Sequence, residues 1–189
     1  MSGNQEEPDV AAQASTFDAL FRAHHRRVWA YAARRVGRDD AYDILSETFL
    51  IAFRKLPDRP GDELPWLLTI ARHVCANHMR SLRRTEAVLA DLQASWMSAS
   101  AEPDIDVVEA LTVRAAFRSL EPPDQEILML VSWDGLSRNR AAEVLGCSTA
   151  AFAVRLHRAR RRLISALEDR EESGGRNSVA SVSTGRSPT

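Results

Sequence analysis

Five arginines (Arg155, Arg158, Arg160, Arg161 and Arg162) crowd into residues 149–163, and no acid stands among them. A solvated helix surface normally interleaves Glu with Arg so that i,i+4 pairs form, and this stretch does not. Its chemistry is therefore the binding of an external polyanion, at a density expected of a protein that displaces counterions from a nucleic-acid duplex. Two more arginines, Arg138 and Arg140, fall in the first turn of the preceding predicted helix. The helix macrodipole disfavours cations there by about 0.3–1 kcal/mol, a local cost that a bound anion would offset.

Two elements must hold these side chains. Ser137 is placed to cap a short helix with apolar positions Ala141, Ala142, Val144 and Leu145; Gly146 breaks it, and Ser148 is placed to cap the next. In that second helix Phe152, Leu156, Ala159 and Leu163 share one face, while Arg155, Arg158 and Arg162 share another. This is helix-turn-helix spacing.

A second basic block lies upstream. Residues 66–84 hold Arg72, Arg80, Arg83 and Arg84 and no acid, behind a loop (58–65) containing Pro60, Gly61 and Pro65. A helix over 66–82 would face Leu67, Ile70, Val74 and Met79 inward and leave Arg72, Asn77, Arg80 and Arg84 outside. A Trp-headed basic helix suits single-stranded nucleic acid, whose bases stack on aromatics while arginines track the backbone. A core Trp at a helix start is commoner than a stacking one.

The rest of the chain is helical in pattern. Residues 1–14 read as a disordered N-terminus; Ser15 or Thr16 then caps a helix carrying Phe17, Leu20, Phe21, His24, Val28, Tyr31 and Ala32 up to Gly37. Asp39 or Asp40 caps a second, with Ala41, Ile44, Leu45, Thr48, Phe49, Ala52 and Phe53 as its core stripe and Pro57 beyond its end. Leu50 and Ile51 fall off that stripe, beside Asp43, Glu47 and Arg54. Either a third helix covers them or they are apolar anchors in a charged rim that docks another protein.

Residues 86–109 hold six acids and no Lys or Arg. Periodicity fades there, although residues 87–90 can prolong the preceding helix by a turn, and an acidic linker over 85–106 follows. Beyond it come a helix from 107 to 120, a turn at Pro122-Pro123, and a helix over 124–133 with Ile127, Leu128, Leu130 and Val131 inward. Residues 171–189 are Ser/Gly-rich and read as a disordered tail. The fold class is all-α: two small helical domains, 15–84 and 107–170, on a flexible acidic linker, the second a helix-turn-helix.

The net charge of −1 would argue against a nucleic-acid partner if it were evenly spread, but it is segregated into two basic blocks around an acidic one. Cys75 and Cys147 form neither a disulfide framework nor a zinc pattern, and reduced thiols place the protein in the cytoplasm. No apolar run reaches the roughly 20 residues of a membrane span. Neither a Gly-rich phosphate loop nor a nucleophile motif is present, and His24, His25, His73 and His78 lack metal-ligand spacing; no cofactor, metal or catalytic residue is expected.

Three segments carry a family resemblance. Ala41-Tyr-Asp-Ile-Leu-Ser-Glu-Thr-Phe-Leu-Ile-Ala-Phe-Arg54 resembles the region-two helix of extracytoplasmic-function sigma factors, usually A-E-D-L-V-Q-E-T-F-L-R-A-W-R. Trp66-Leu-Leu-Thr-Ile-Ala-Arg72 with Arg80-Ser-Leu-Arg-Arg84 is similar to that family's promoter-melting helix, and Leu145-Gly-Cys-Ser148 with Arg155-Leu-His-Arg-Ala-Arg160 resembles its region four. Three matches in the family's order are specific where a lone helix-turn-helix is not.

The resemblance implies a dissociable subunit that takes core RNA polymerase to promoter DNA, and an anti-sigma factor as a further partner. By position, Asp43, Glu47 and Leu50 would dock on the clamp helices of the largest polymerase subunit. Trp66, Arg72, His73, Asn77 and Arg80 would hold the melted minus-10 strand. Arg138, Ser148, Arg155, His157 and Arg158 would meet the minus-35 duplex. The chain departs from the family where G-T-V-K-S-R becomes Ala150-Ala-Phe-Ala-Val-Arg155, and where the usual Asp and Asn are Asn77 and His73. Base readout near Ala153 and Val154 must therefore differ, through apolar contact with a thymine methyl or a weak dependence on the minus-35 element. The rival reading is a stand-alone helix-turn-helix regulator, which would bind duplex tightly without polymerase.

Overall fold

The computed structural model describes residues 6–90 and 107–180, with side chains over 11–84 and 112–170. Contacts divide the chain into two compact units. Every regular element among the described residues is helical.

The first unit is a three-helix packing of α1 (Glu6–Val36), α2 (Arg38–Arg54) and α3 (Glu63–Ala90), in which each helix packs on the other two, with a 3₁₀ turn at Leu56–Asp58 after α2. Leu20, Val28, Tyr31 and Ala32 of α1 meet a core completed by Ala41, Ile44, Thr48, Phe49 and Ala52 of α2 and Leu64, Leu67, Leu68, Ala71, Val74 and Cys75 of α3, all buried. Each large aliphatic or aromatic side chain among them contributes about 1.5–3 kcal/mol by leaving water. Gly37, at φ 92°, makes the break between α1 and α2, because an L side chain is strained there.

Several boundaries differ from the sequence expectation. α1 begins at Glu6, so the disorder expected for residues 1–14 does not hold from Glu6 onward. Ser15 and Thr16 cap nothing: the Thr16 hydroxyl donates 2.8 Å back to the Ala12 carbonyl, the bond a threonine makes inside a helix. The first turn of α2 is capped by Gly37 with no side-chain bond, so Asp39 and Asp40 act as acids within it rather than as caps. α3 starts at Glu63, three residues before Trp66, because Leu64 and Pro65 are themselves buried. It also runs through residues 85–90, where a linker was expected; the remainder of that linker lies outside the described residues.

The second unit holds α4 (Val107–Arg118), α5 (Pro122–Ser132) and α7 (Thr149–Ala180), with α4 and α5 both packed on α7. Pro122 and Pro123 open α5 rather than form a turn before it, since proline at the first helical positions has no N–H to lose. Residues 171–180 continue α7, although their composition reads as a tail. Between α5 and α7, α6 (Arg138–Val144) is a short helix whose Ala141, Ala142 and Val144 are buried.

Candidate nucleic-acid interface

The turn from α6 into α7 is built from backbone bonds. Cys147 N–H donates 3.0 Å to the Ala142 carbonyl and Gly146 N–H donates 3.0 Å to the Glu143 carbonyl. That pair is the Schellman arrangement, which needs a left-handed residue at its centre, and Gly146 has φ 62°. The serine caps stand where the sequence puts them. Ser137 Oγ accepts from Arg140 N–H at 3.4 Å, and Ser148 Oγ accepts from Ala151 N–H at 3.2 Å.

α7 then buries Phe152, Leu156 and Ala159, leaving Val154, Arg155, His157, Arg158, Arg160 and Arg161 exposed. Among the described residues no carboxylate pairs with Arg155 or Arg158, so both guanidinium groups are available to phosphate or a base edge. Arg162 is a correction to the predicted basic face. Its guanidinium folds back onto the carboxylate of Asp124 in the first turn of α5, a side chain that is almost fully buried. A buried carboxylate without that partner would be costly, so the Arg162 guanidinium, itself 60% exposed, is committed to Asp124. Arg138 is exposed at the start of α6, while Arg140 is already engaged within the chain.

The outer face of α3 is differently made. His73, Asn77 and Arg80 are exposed, and Trp66 and Arg72 are half-buried. Arg80 is tied down twice, through Nε to the Ala76 carbonyl at 3.2 Å and through its terminal nitrogen to Asn77 Oδ1. His78 faces inward, its Nε2 3.0 Å from Asp40 Oδ2 of α2 in an ion-pair contact rather than an aligned hydrogen bond. This contact ties the middle of α3 to the start of α2.

The start of α3 is fixed by a residue that no sequence motif marked. Glu63 accepts from Arg59 Nε at 3.0 Å through one carboxylate oxygen and lies 3.2 Å from His24 Nε2 of α1 through the other. The loop before α3 is thus clamped to α1. The Arg59–Glu63 spacing of four was legible as a local pair, but nothing in periodicity pointed to His24 across a separation of 39 residues.

On α2, Asp43, Glu47 and Leu50 are all exposed, Leu50 by 50%. Of the two off-stripe residues, Leu50 is left uncovered while Ile51 is half-buried. Phe53 and Phe21, expected in the core, are 39% and 36% exposed and belong to an aromatic cluster with Phe17 and Phe49, including an edge-to-face contact of 4.8 Å between Phe21 and Phe49. Large apolar anchors beside Asp43 and Glu47 have the composition of a protein-docking patch.

Comparison with known proteins adds family to geometry. Residues 20–85 match the sigma-70 region 2 family and residues 110–163 match sigma-70 region 4. The chain is 35% identical over 168 residues to BldN of Streptomyces coelicolor, described as an ECF RNA polymerase sigma factor; the match covers 84% of this chain but only 63% of BldN, less than two thirds of that protein. It is 34% identical to the RNA polymerase sigma factor NccH of Alcaligenes xylosoxydans xylosoxydans, over 76% of this chain and 83% of NccH. Among solved structures it is similar to CnrH bound to the cytosolic domain of CnrY, with a TM-score of 0.55 and 25% identity, over 81% of this chain and 88% of CnrH.

Proposed function

We propose a division of labour for this chain, which belongs to the extracytoplasmic-function group of the sigma-70 family of RNA polymerase sigma factors: the first unit docks on polymerase and holds melted DNA, and the second grips duplex upstream. As a sigma factor it directs promoter recognition and transcription initiation. Asp43, Glu47 and Leu50 form the docking face for core RNA polymerase. Trp66, Arg72, His73, Asn77 and Arg80, behind the loop clamped by Glu63, take the minus-10 strand. Arg138, Ser148, Arg155, His157 and Arg158 meet the minus-35 duplex.

The observation that carries the reading is the presence of both family regions in the same chain and in order. Support comes from the exposed Leu50 beside Asp43 and Glu47 on one unit, and on the other from Arg155 and Arg158 of α7, with which no carboxylate among the described residues pairs. The chain supplies binding energy and no catalytic step; the polymerase it rides on carries the chemistry, in the cytoplasm. CnrH is known in complex with the cytosolic domain of CnrY, and the family resemblance makes an anti-sigma factor the regulatory partner proposed for this chain.

Run-off transcription with purified core polymerase tests the reading. Transcripts should start at discrete sites only when the chain is added, and Leu50→Asp should abolish them by loss of core binding. Tight duplex binding by the chain alone, with no affinity for core polymerase, would overturn the assignment in favour of a stand-alone regulator.

A further inference from the structure

An α-helix turns about 100° per residue, so the side chain two positions after a buried one points nearly opposite to it. Phe152 is wholly buried, and Val154 is 51% exposed at the middle of the outward face of α7. One turn before it on the same strip stands Ala150, and one turn after it stand His157 and Arg158, all exposed. Arg155 lies to the side, about 60° from the buried face. From Thr149 to Val154 there is no charged side chain. The part of the helix nearest a groove floor is thus a branched hydrocarbon next to Arg155 and Arg158, where the family it resembles has a hydroxyl.

A helix-turn-helix enters the major groove with the N-terminal residues of its second helix against the base edges. The base-edge group complementary to hydrocarbon is the C5 methyl of thymine, since every other major-groove feature is a hydrogen-bond donor or acceptor. A guanine at that spot would leave O6 and N7 facing a valine, desolvated and unpaired. We propose that Val154 is a specificity-determining residue that reads a thymine methyl in the upstream promoter element, with Arg158 holding the adjacent phosphate and Ala150 leaving room for the close approach. This rests on the placement of the second unit on duplex DNA proposed above.

The test uses the full chain with core polymerase to select from a random 30-pair duplex pool, followed by single-atom-group changes in the selected site. The selected sequences should carry a thymine at one fixed upstream position. Its replacement by deoxyuridine, which removes only the methyl, should weaken binding about fourfold, the worth of one buried methyl group. Val154→Ser removes both γ-methyl groups at an exposed position and should bind the thymine and deoxyuridine sites equally; an unchanged melting temperature confirms that it folds. Selection without an upstream thymine, or a thymine–deoxyuridine difference that persists in Val154→Ser, overturns the proposal. Selection of the thymine site by the chain without core polymerase would keep the role of Val154 while overturning the sigma-factor reading, so the two fail separately.

Discussion

The outer faces of α3 and α7 are both arginine-bearing helix surfaces, yet they are wired in opposite ways. On α3, Arg80 is bonded to Asn77 and to the helix backbone, Arg72 is half-buried, and both ends of the polar face are braced by neighbours, His78 by Asp40 and the loop by Glu63. On α7, Arg155 and Arg158 have no carboxylate among the described residues, and Arg162 is the one arginine of the row committed to the core. A braced polar face has lost its conformational freedom before the ligand arrives, which suits a pocket for one splayed base. Unbraced arginines keep theirs and gain by releasing counterions, which suits a phosphate backbone.

The largest effect should come from removing the unbraced pair. Arg155→Ala with Arg158→Ala should flatten the slope of log K against log salt for duplex binding by about 1.8, and weaken binding about 60-fold in 0.1 M salt. Filter binding across a salt series checks it; an unchanged slope would remove both side chains from the interface and dissolve the contrast. On α3 the same measurement with Arg80→Ala and a single-stranded oligonucleotide should give at most a fivefold loss, about 0.7 in slope. Asn77→Ala should release Arg80 and raise the salt dependence rather than lower it. A slope change as large as that of the α7 pair would show that the bracing of Arg80 has no functional weight.

Asp124→Ala sharpens the comparison from the other side, by converting a braced arginine into an unbraced one. The variant should lose about 1–2 kcal/mol of stability: Arg162 is 60% exposed, so the pair itself is discounted for solvent screening, and loss of an acid from the first turn of α5 adds a little. Its duplex binding should become more salt-dependent, because a further cation joins the face of α7. Urea unfolding and filter binding together separate these two results.

How much of this was legible follows from the range of each interaction. The α6–α7 turn could be read directly, because Ser137, Gly146 and Ser148 act within three residues of themselves and Phe152, Leu156 and Ala159 repeat at the helical period. The ends of α1 and α5 were misplaced for a local reason: Thr16 and Pro122-Pro123 have two readings each, and packing decides between them. Arg162 could not be assigned from periodicity at all. Its partner lies 38 residues earlier, and the helical wheel places it among arginines that behave differently. The same is true of Glu63, whose contact with His24 depends on how α1 and α3 meet.

That clamp provides the most discriminating small effect. Glu63 is 29% exposed and its partner Arg59 is 38% exposed, so the pair is screened, and Glu63→Ala should cost the folded protein no more than about 1 kcal/mol. Its consequence for function should exceed its consequence for stability. The loop over residues 59–62 would keep its backbone connection to α3 but lose its tie to α1, and a binding pocket must then order that loop when the base enters, at about 0.5–1.5 kcal/mol for each side chain immobilised. Affinity for a melted minus-10 strand should therefore fall about tenfold while duplex binding by α7 and the melting temperature barely move. Equal losses in both binding assays would mean that Glu63 supports the fold as a whole; a selective loss at the single strand would show that the braced face of α3 works because it is braced.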